Sequence, residues 1–225
     1  MSSINKDPKP SAIEVFKNDS EYLLGEIGTE LVDQNNFFGK GSVQLLKHHG
    51  TYQQDDRDVR GQIQDDGSKK RFIYMVRTRI PGGRMTTRQF LAHLDLCDEV
   101  GNTTLRITSR QTLQLHGVIK SDLKNTIKRI NDTELTTLAA CGDVARNTMC
   151  CPAPFKNAVY DELRGLTDEI AERLRPRTKT YHELWLTDTD TGEVDADGDG
   201  YLSLIHISEP TRRYAISYAG VCVKK

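Results

Sequence analysis

Between Phe72 and Cys141 the spacing of apolar residues switches repeatedly between about two and about 3.6, which fixes an order of strands and helices. Phe72–Thr78 is aromatic and β-branched and reads as a strand. Thr86 or Thr87 caps a helix with Phe90, Leu91, Leu94 and Cys97 on its inward face and Gly101 beyond its end. Thr104–Thr108 and Thr112–Val118 read as two more strands. Ser121 caps a second helix with Leu123, Ile127 and Ile130 inward, and Leu135–Cys141 reads as a last strand. The order β-α-β-β-α-β predicts an α+β fold, the ferredoxin-like plait.

The flanks are expected to differ. Residues 1–70 read as an N-terminal arm, extended apart from one helix near Ser20–Asn35 and broken by Gly39, Gly41, Gly50, Gly61 and Gly67. Residues 71–150 are the plait, and Cys150-Cys151-Pro152-Ala153-Pro154 ends it. Residues 151–201 then open a second α+β domain. Its helix carries Val159, Leu163, Leu166, Ile170 and Leu174 and stops at Pro176, and a strand at Tyr181–Leu186 follows. Leu202-Ser203-Leu204-Ile205-His206-Ile207-Ser208-Glu209-Pro210-Thr211-Arg212 resembles a translated DNA-sequencing adapter, so 202–225 is expected to be a non-native tail.

Composition narrows the class. Charged residues make up 28% and apolar ones 36% of 225 residues, with net charge -1, as expected of a soluble protein. No run reaches the roughly 18–20 apolar residues of a membrane span, and Met1–Ser20 holds no apolar signal core, so no membrane and a cytoplasmic location are expected. Cys97, Cys141, Cys150, Cys151 and Cys222 lack CxxC spacing, which favours a reducing compartment over zinc. Adjacent Cys150 and Cys151 read as two buried thiols, and no bound metal is expected. Asp195-Ala196-Asp197-Gly198-Asp199-Gly200 opens like a calcium loop, but His206 stands where its bidentate glutamate belongs, so it reads as an acidic surface loop.

Strand parity turns the middle of the chain into chemistry. Arg106 and Thr108 share a face opposite Leu105 and Ile107, while Thr112, Gln114 and His116 share a face opposite Leu113 and Leu115. The apolar faces seat the helices. The opposite faces present guanidinium, hydroxyl, amide and imidazole donors, with Arg110 in the connection between the strands. Unpaired buried charge is expensive, so such a face calls for an anion, and arginine's planar fork suits carboxylate and phosphate oxygens. An RNA-binding plait is the rival from another class, but those modules stack bases on aromatics and residues 104–118 contain none. No nucleic-acid partner is expected.

Four segments carry a family resemblance: Tyr52-Gln53-Gln54-Asp55-Asp56-Arg57-Asp58, Arg77-Thr78-Arg79-Ile80-Pro81-Gly82-Gly83, Arg106 to Gly117, and Gly142-Asp143-Val144-Ala145-Arg146-Asn147. In that order and spacing, from about residue 20 to 190, they resemble the N-terminal half of the siroheme nitrite/sulfite reductase family, and Cys141–Pro154 resembles its sulfite branch. The resemblance implies a six-electron reduction of sulfite to sulfide at siroheme coupled to a 4Fe–4S cluster, with siroheme nitrite reductase as the alternative. It implies that Arg106, Thr108, Arg110, Gln114 and His116 bind siroheme carboxylates and that Arg79 and Arg146 face sulfite. The donor would be ferredoxin or an NADPH-linked flavoprotein. The family's cluster cysteines, Cys-x5-Cys and Cys-x3-Cys, and its substrate lysine segment have no counterpart here. A fragment inactive on its own is therefore expected.

Overall fold

The computed structural model describes residues 11–21, 23–60 and 70–176. The expected strand at Tyr181–Leu186, the acidic loop, the tail and Cys222 lie outside these residues. Four antiparallel strands form one sheet: β1 (Thr51–Asp55), β2 (Phe72–Thr78), β3 (Leu105–Ile107) and β4 (Leu113–Val118), in the order β1-β2-β4-β3. Helices α4 (Thr87–Glu99) and α5 (Leu123–Asn131) complete the β-α-β-β-α run of the plait. Three helices precede the sheet, α1 (Ala12–Asn18), α2 (Ile27–Val32) and α3 (Lys40–His48), and α6 (Ala158–Arg173) follows it.

β2 has the bounds its composition predicts, and its alternation sets one face into the core. Tyr74, Val76 and Thr78 are essentially inaccessible, as are Leu115 and Val118 of β4. Leu96, Leu123 and Ile130 cover that face from α4 and α5. Each fully buried aliphatic side chain contributes about 1.5–3 kcal/mol. The β2–β4 register advances two residues on β2 against three on β4 between Tyr74–Val118 and Val76–Leu115. That bulge returns Val118 to the core face after His116 and Gly117.

Several expectations are corrected. The segment read as an extended arm is folded: Leu23, Ile27, Phe38, Leu45 and Leu46 join the core, and β1 pairs with β2 along its length. Tyr52-Gln53-Gln54 is part of that edge strand, and the Gln53 carboxamide oxygen accepts from Phe38 N at 2.6 Å and Tyr74 Oη at 3.0 Å. The helix expected near Ser20–Asn35 is only Ile27–Val32. Lys120 fastens this region. Its ammonium, 6% exposed, donates to Asp33 Oδ1 (2.5 Å), Asn35 O (2.9 Å) and Phe37 O (3.2 Å) and lies 4.7 Å from the Phe38 ring centre.

The strand expected at Leu135–Cys141 is a single bridge, Arg79 with Thr136. β1 already occupies that edge of β2, leaving only its end free. Thr86 caps α4 as expected, with Gln89 completing a capping box. The buried face of α4 is nevertheless His93, Leu96 and Cys97, with Phe90, Leu91 and Leu94 exposed. His93 behaves as a core residue because both ring nitrogens are satisfied, by Thr78 Oγ1 at 2.8 Å and Gln89 O at 2.7 Å. Ser121 does not cap α5. It lies in a 3-10 turn, Lys120–Asp122, that leads into it. On α6 the apolar stripe Val159, Leu163, Leu166 and Ile170 is exposed, and Thr167 and Ala171 are buried instead. Cys150 is half-buried and Cys151 exposed, unlike the expected pair of buried thiols.

Candidate functional site

Register builds a polar row across three strands. Arg77 of β2 stands opposite Gln114 of β4, and Gln114 stands opposite Arg106 of β3. All three lie on the face away from α4 and α5, because their neighbours Val76, Leu115 and Leu105 pack into the core. Gln114 is 6% exposed. In the amide orientation that satisfies both groups, its oxygen accepts from Arg77 Nε at 2.9 Å and from Arg77 Nη2.

His116 follows on the same strand. Burial first, and then Arg106 and Arg77, hold its imidazole below the ordinary histidine range. The ring is therefore neutral at pH 7 and offers one donor. Arg146 joins from the other side. The buried Cys141 thiol is pushed up to about 11 by burial, while Arg77 and Arg146 both pull it down. Among the described residues no carboxylate pairs with Arg77, Arg106, Arg110 or Arg146. Like charges this concentrated repel unless an anion lies among them.

Two loops carry the remaining arginines. The β3–β4 connection closes on itself. Thr108 N donates to Thr112 O at 2.9 Å, Gln111 N to Thr108 O at 3.0 Å, and the two threonine hydroxyls bond at 2.6 Å. Arg110 rides on this connection. Arg146 sits in a loop it closes itself, with Nε donating to Gly142 O at 2.9 Å, so its two terminal nitrogens remain for a ligand. Gly142 has φ of +88°, and a Cβ there would lie 2.9 Å from His48 Nδ1. Only glycine sits there without strain.

Register therefore sets Arg106 and Gln114 side by side on one face of the sheet, His116 follows on the same strand, and Arg110 and Arg146 lie in loops tied by their own hydrogen bonds. Thr108 stands next to them, with its hydroxyl engaged by Thr112. Arg79 points elsewhere. It is 3% exposed, and its Nη2 donates to Ala171 O at 2.7 Å near the C-terminus of α6. Burial and Arg175 push its guanidinium down to about 10, still charged at pH 7. A cleft lined by Arg79, Glu134, Thr136, Asp168, Glu172 and Arg175 adjoins it.

Arg77 belongs to the polar row, and the choice of Arg79 overlooked it. Its signal was present, since strand parity sets it opposite Val76. Asn147, which ties the loops beside the row, was also overlooked, and nothing local announces it. Its 4% exposed carboxamide bonds Ile80, Arg110 and Gln111.

The donor set fits a group rich in carboxylates. Four guanidiniums without a carboxylate partner among the described residues and a neutral imidazole supply hydrogen-bond donors to anionic oxygens. It does not fit an iron–sulfur cluster. Cys97, Cys141, Cys150 and Cys151 are dispersed, and no group of three ligating side chains occurs among the described residues.

Comparison with known proteins gives these features a context. Residues 66–133 match the family described as Nitrite/Sulfite reductase ferredoxin-like half domain. The chain is 42% identical over 181 residues to the sulfite reductase (NADPH) hemoprotein beta-component of Staphylococcus haemolyticus, covering 80% of this chain and 32% of that protein. It is 40% identical over 181 residues to the protein of the same name from Bacillus subtilis, with the same two coverages. Identity to the sulfite reductase (NADPH) subunit beta of Schizosaccharomyces pombe is 42% over 188 residues, 83% of this chain and 13% of that one. Among solved structures, the Mycobacterium tuberculosis NirA protein shares the fold with a TM-score of 0.61 at 23% identity, over 73% of this chain and 32% of that one. The chain spans about a third of the length of the bacterial relatives.

Proposed function

Because residues 66–133 are a nitrite/sulfite reductase ferredoxin-like half domain, we propose that this chain is the anion-gripping portion of a siroheme-dependent sulfite reductase hemoprotein. The observation that carries the reading is the Arg77–Gln114–Arg106 row, with no acid paired to Arg77, Arg106, Arg110 or Arg146 among the described residues.

Siroheme bears eight carboxylates, and Arg106, Arg110, Gln114 and His116 would hold them, with Thr108 keeping the Arg110 loop closed and Arg77 added to the set. When bound, the tetrapyrrole supplies the redox chemistry that turns sulfite into sulfide with six electrons and six protons. The residues here bind and orient. Arg146 presents two terminal nitrogens to the sulfite oxygens and offsets their charge as water leaves. Arg79 would face sulfite only if it released the Ala171 carbonyl. His116, neutral at working pH, donates one hydrogen bond without adding charge.

The names of the relatives favour sulfite over nitrite and a flavoprotein carrying electrons from NADPH over ferredoxin. The ligands of the 4Fe–4S cluster belong, in this reading, to the part of the relatives that this chain does not span. Among the described residues no helix is long and apolar enough to cross a membrane. A cytoplasmic location is part of the proposal.

The test is reconstitution of the full-length parent protein with siroheme, followed by visible spectroscopy. Wild type should show a Soret band at stoichiometric absorbance, and Arg106→Ala and Arg110→Ala should lower tetrapyrrole content several-fold. Full occupancy in both variants would refute the assignment.

A further inference from the structure

Two arginines assigned above to siroheme and to sulfite come from loops that no regular element connects. Arg110 is on the β3–β4 connection, and Arg146 follows the chain's departure from the core. Something must hold one loop against the other, and the side chain that does so is Asn147. Its Oδ1 accepts from Ile80 N at 2.9 Å, and its Nδ2 donates back to Ile80 O at 2.7 Å. The same Nδ2 reaches Arg110 O at 2.9 Å and Gln111 O at 3.3 Å. Two amide hydrogens serve three carbonyls, so one is shared between the successive carbonyls of the connection.

The arrangement is reinforced on both flanks. Gln111 Nε2 donates to Cys150 O at 2.8 Å, and Gly82 N donates to Thr148 O at 2.9 Å. Each of these bonds joins the 147–150 segment to the Ile80–Gly82 turn or to the Arg110 connection. Asn147 touches both through one buried carboxamide, whereas Cys150 reaches the turn only through a long thiol contact of 3.9 Å to Gly82 O. Its neighbour Arg146 is fixed in turn by the bond from Nε to Gly142 O.

We infer that Asn147 is a positioning residue that sets the spacing of the Arg110 and Arg146 loops, so that a carboxylate-rich ligand and a small oxyanion are held side by side. This rests on reading those arginines as ligands of siroheme and sulfite. Its effect is preorganisation. A ligand meeting two cations already spaced for it does not have to order two loops on binding. A misplacement of about 1 Å at such a site costs up to about 10²-fold.

The experiment uses the full-length parent protein with Asn147→Ala, Asn147→Asp, Arg110→Ala and the double variant Arg110→Ala/Asn147→Ala. Hydrogen exchange without cofactor comes first. Asn147→Ala should speed exchange at least tenfold at the amides of Ile80, Thr108, Gln111 and Thr112, with Val76 and Leu115 unchanged. Asn147→Asp keeps the volume and the acceptor but loses the donors, so it should loosen Thr108, Gln111 and Thr112 while Ile80 stays protected. This second variant decides the matter if Asn147→Ala does not fold. Unchanged exchange at the β3–β4 connection in both would overturn the inference.

Siroheme content, read as the Soret-to-protein absorbance ratio, is the second measurement. Asn147→Ala should lower it several-fold in wild type but add nothing in the Arg110→Ala background, because its effect runs through Arg110. Equal losses in both backgrounds would mean a merely structural role and would also overturn it. A wild-type parent with no Soret band sinks the proposed function instead, and the exchange pattern then still decides whether Asn147 joins the loops.

Discussion

Gly142→Ala tests the link between backbone geometry and the anion site most directly. Gly142 holds φ at +88°, and an added Cβ would lie 2.9 Å from His48 Nδ1 and 3.2 Å from His48 N. His48 has little freedom to retreat, because it is 3% exposed and its carbonyl accepts from Ala139 N at 2.7 Å. The left-handed backbone costs about 1–2 kcal/mol for a residue with a Cβ. Forcing a methyl into the packed space adds about 1–3 kcal/mol. Together about 2–5 kcal/mol is lost, which for a chain of this size lowers the melting temperature by roughly 5–15 °C. Thermal unfolding followed by far-UV circular dichroism measures it. Gly142→Asn separates the two causes: asparagine tolerates the left-handed region but still carries the Cβ, so it should recover only the backbone part. A melting temperature for Gly142→Ala within about 1 °C of wild type would refute the reasoning.

Other expectations concern titration and the N-terminal fastening. His49 is buried against Leu23 O at 2.8 Å, and burial holds its imidazole at about 4. Its unfolded value is about 6.5, so the unfolded state binds the extra proton between those values. The stability present above pH 6.5 falls by about 3 kcal/mol as the pH drops towards 4. Denaturant midpoints at pH 7, 5.5 and 4.5 should show this, and His49→Gln should flatten the slope. Arg106→Ala should move the His116 titration up towards the ordinary range in an NMR experiment, because one of the two cations depressing it is gone. Lys120→Met strips donors from Asn35 O and Phe37 O and should destabilise by about 1–3 kcal/mol, read as a lower denaturant midpoint.

Much of the plait was legible because its signals are local. Alternation gave Phe72–Thr78 its bounds, the Thr86–Gln89 pair marked the start of α4, and parity set Arg106 and Gln114 on one face, where the register pairs them. The errors arose where a non-local partner overrides a local pattern. His93 belongs to the core because Thr78 meets its ring, and counting hydrophobic residues alone therefore placed Phe90, Leu91 and Leu94 inward, with only Cys97 of that set buried. The Leu135–Cys141 strand gave way because β1 had taken its edge. Asn147 was illegible for the same reason, since its bonds cross 36 to 67 positions of sequence.

The placement of β1 bears on how this region is handled in the laboratory. A product trimmed to residues 66–133, the stretch that matches the family description, would discard the outermost strand along with Leu23, Ile27, Phe38, Leu45 and Leu46. Phe72 to Val76 would then offer a bare row of amide and carbonyl groups to any passing chain, the usual starting point for clumping. Solubility of such a piece depends on restoring the edge, so cloning should begin ahead of Ser20.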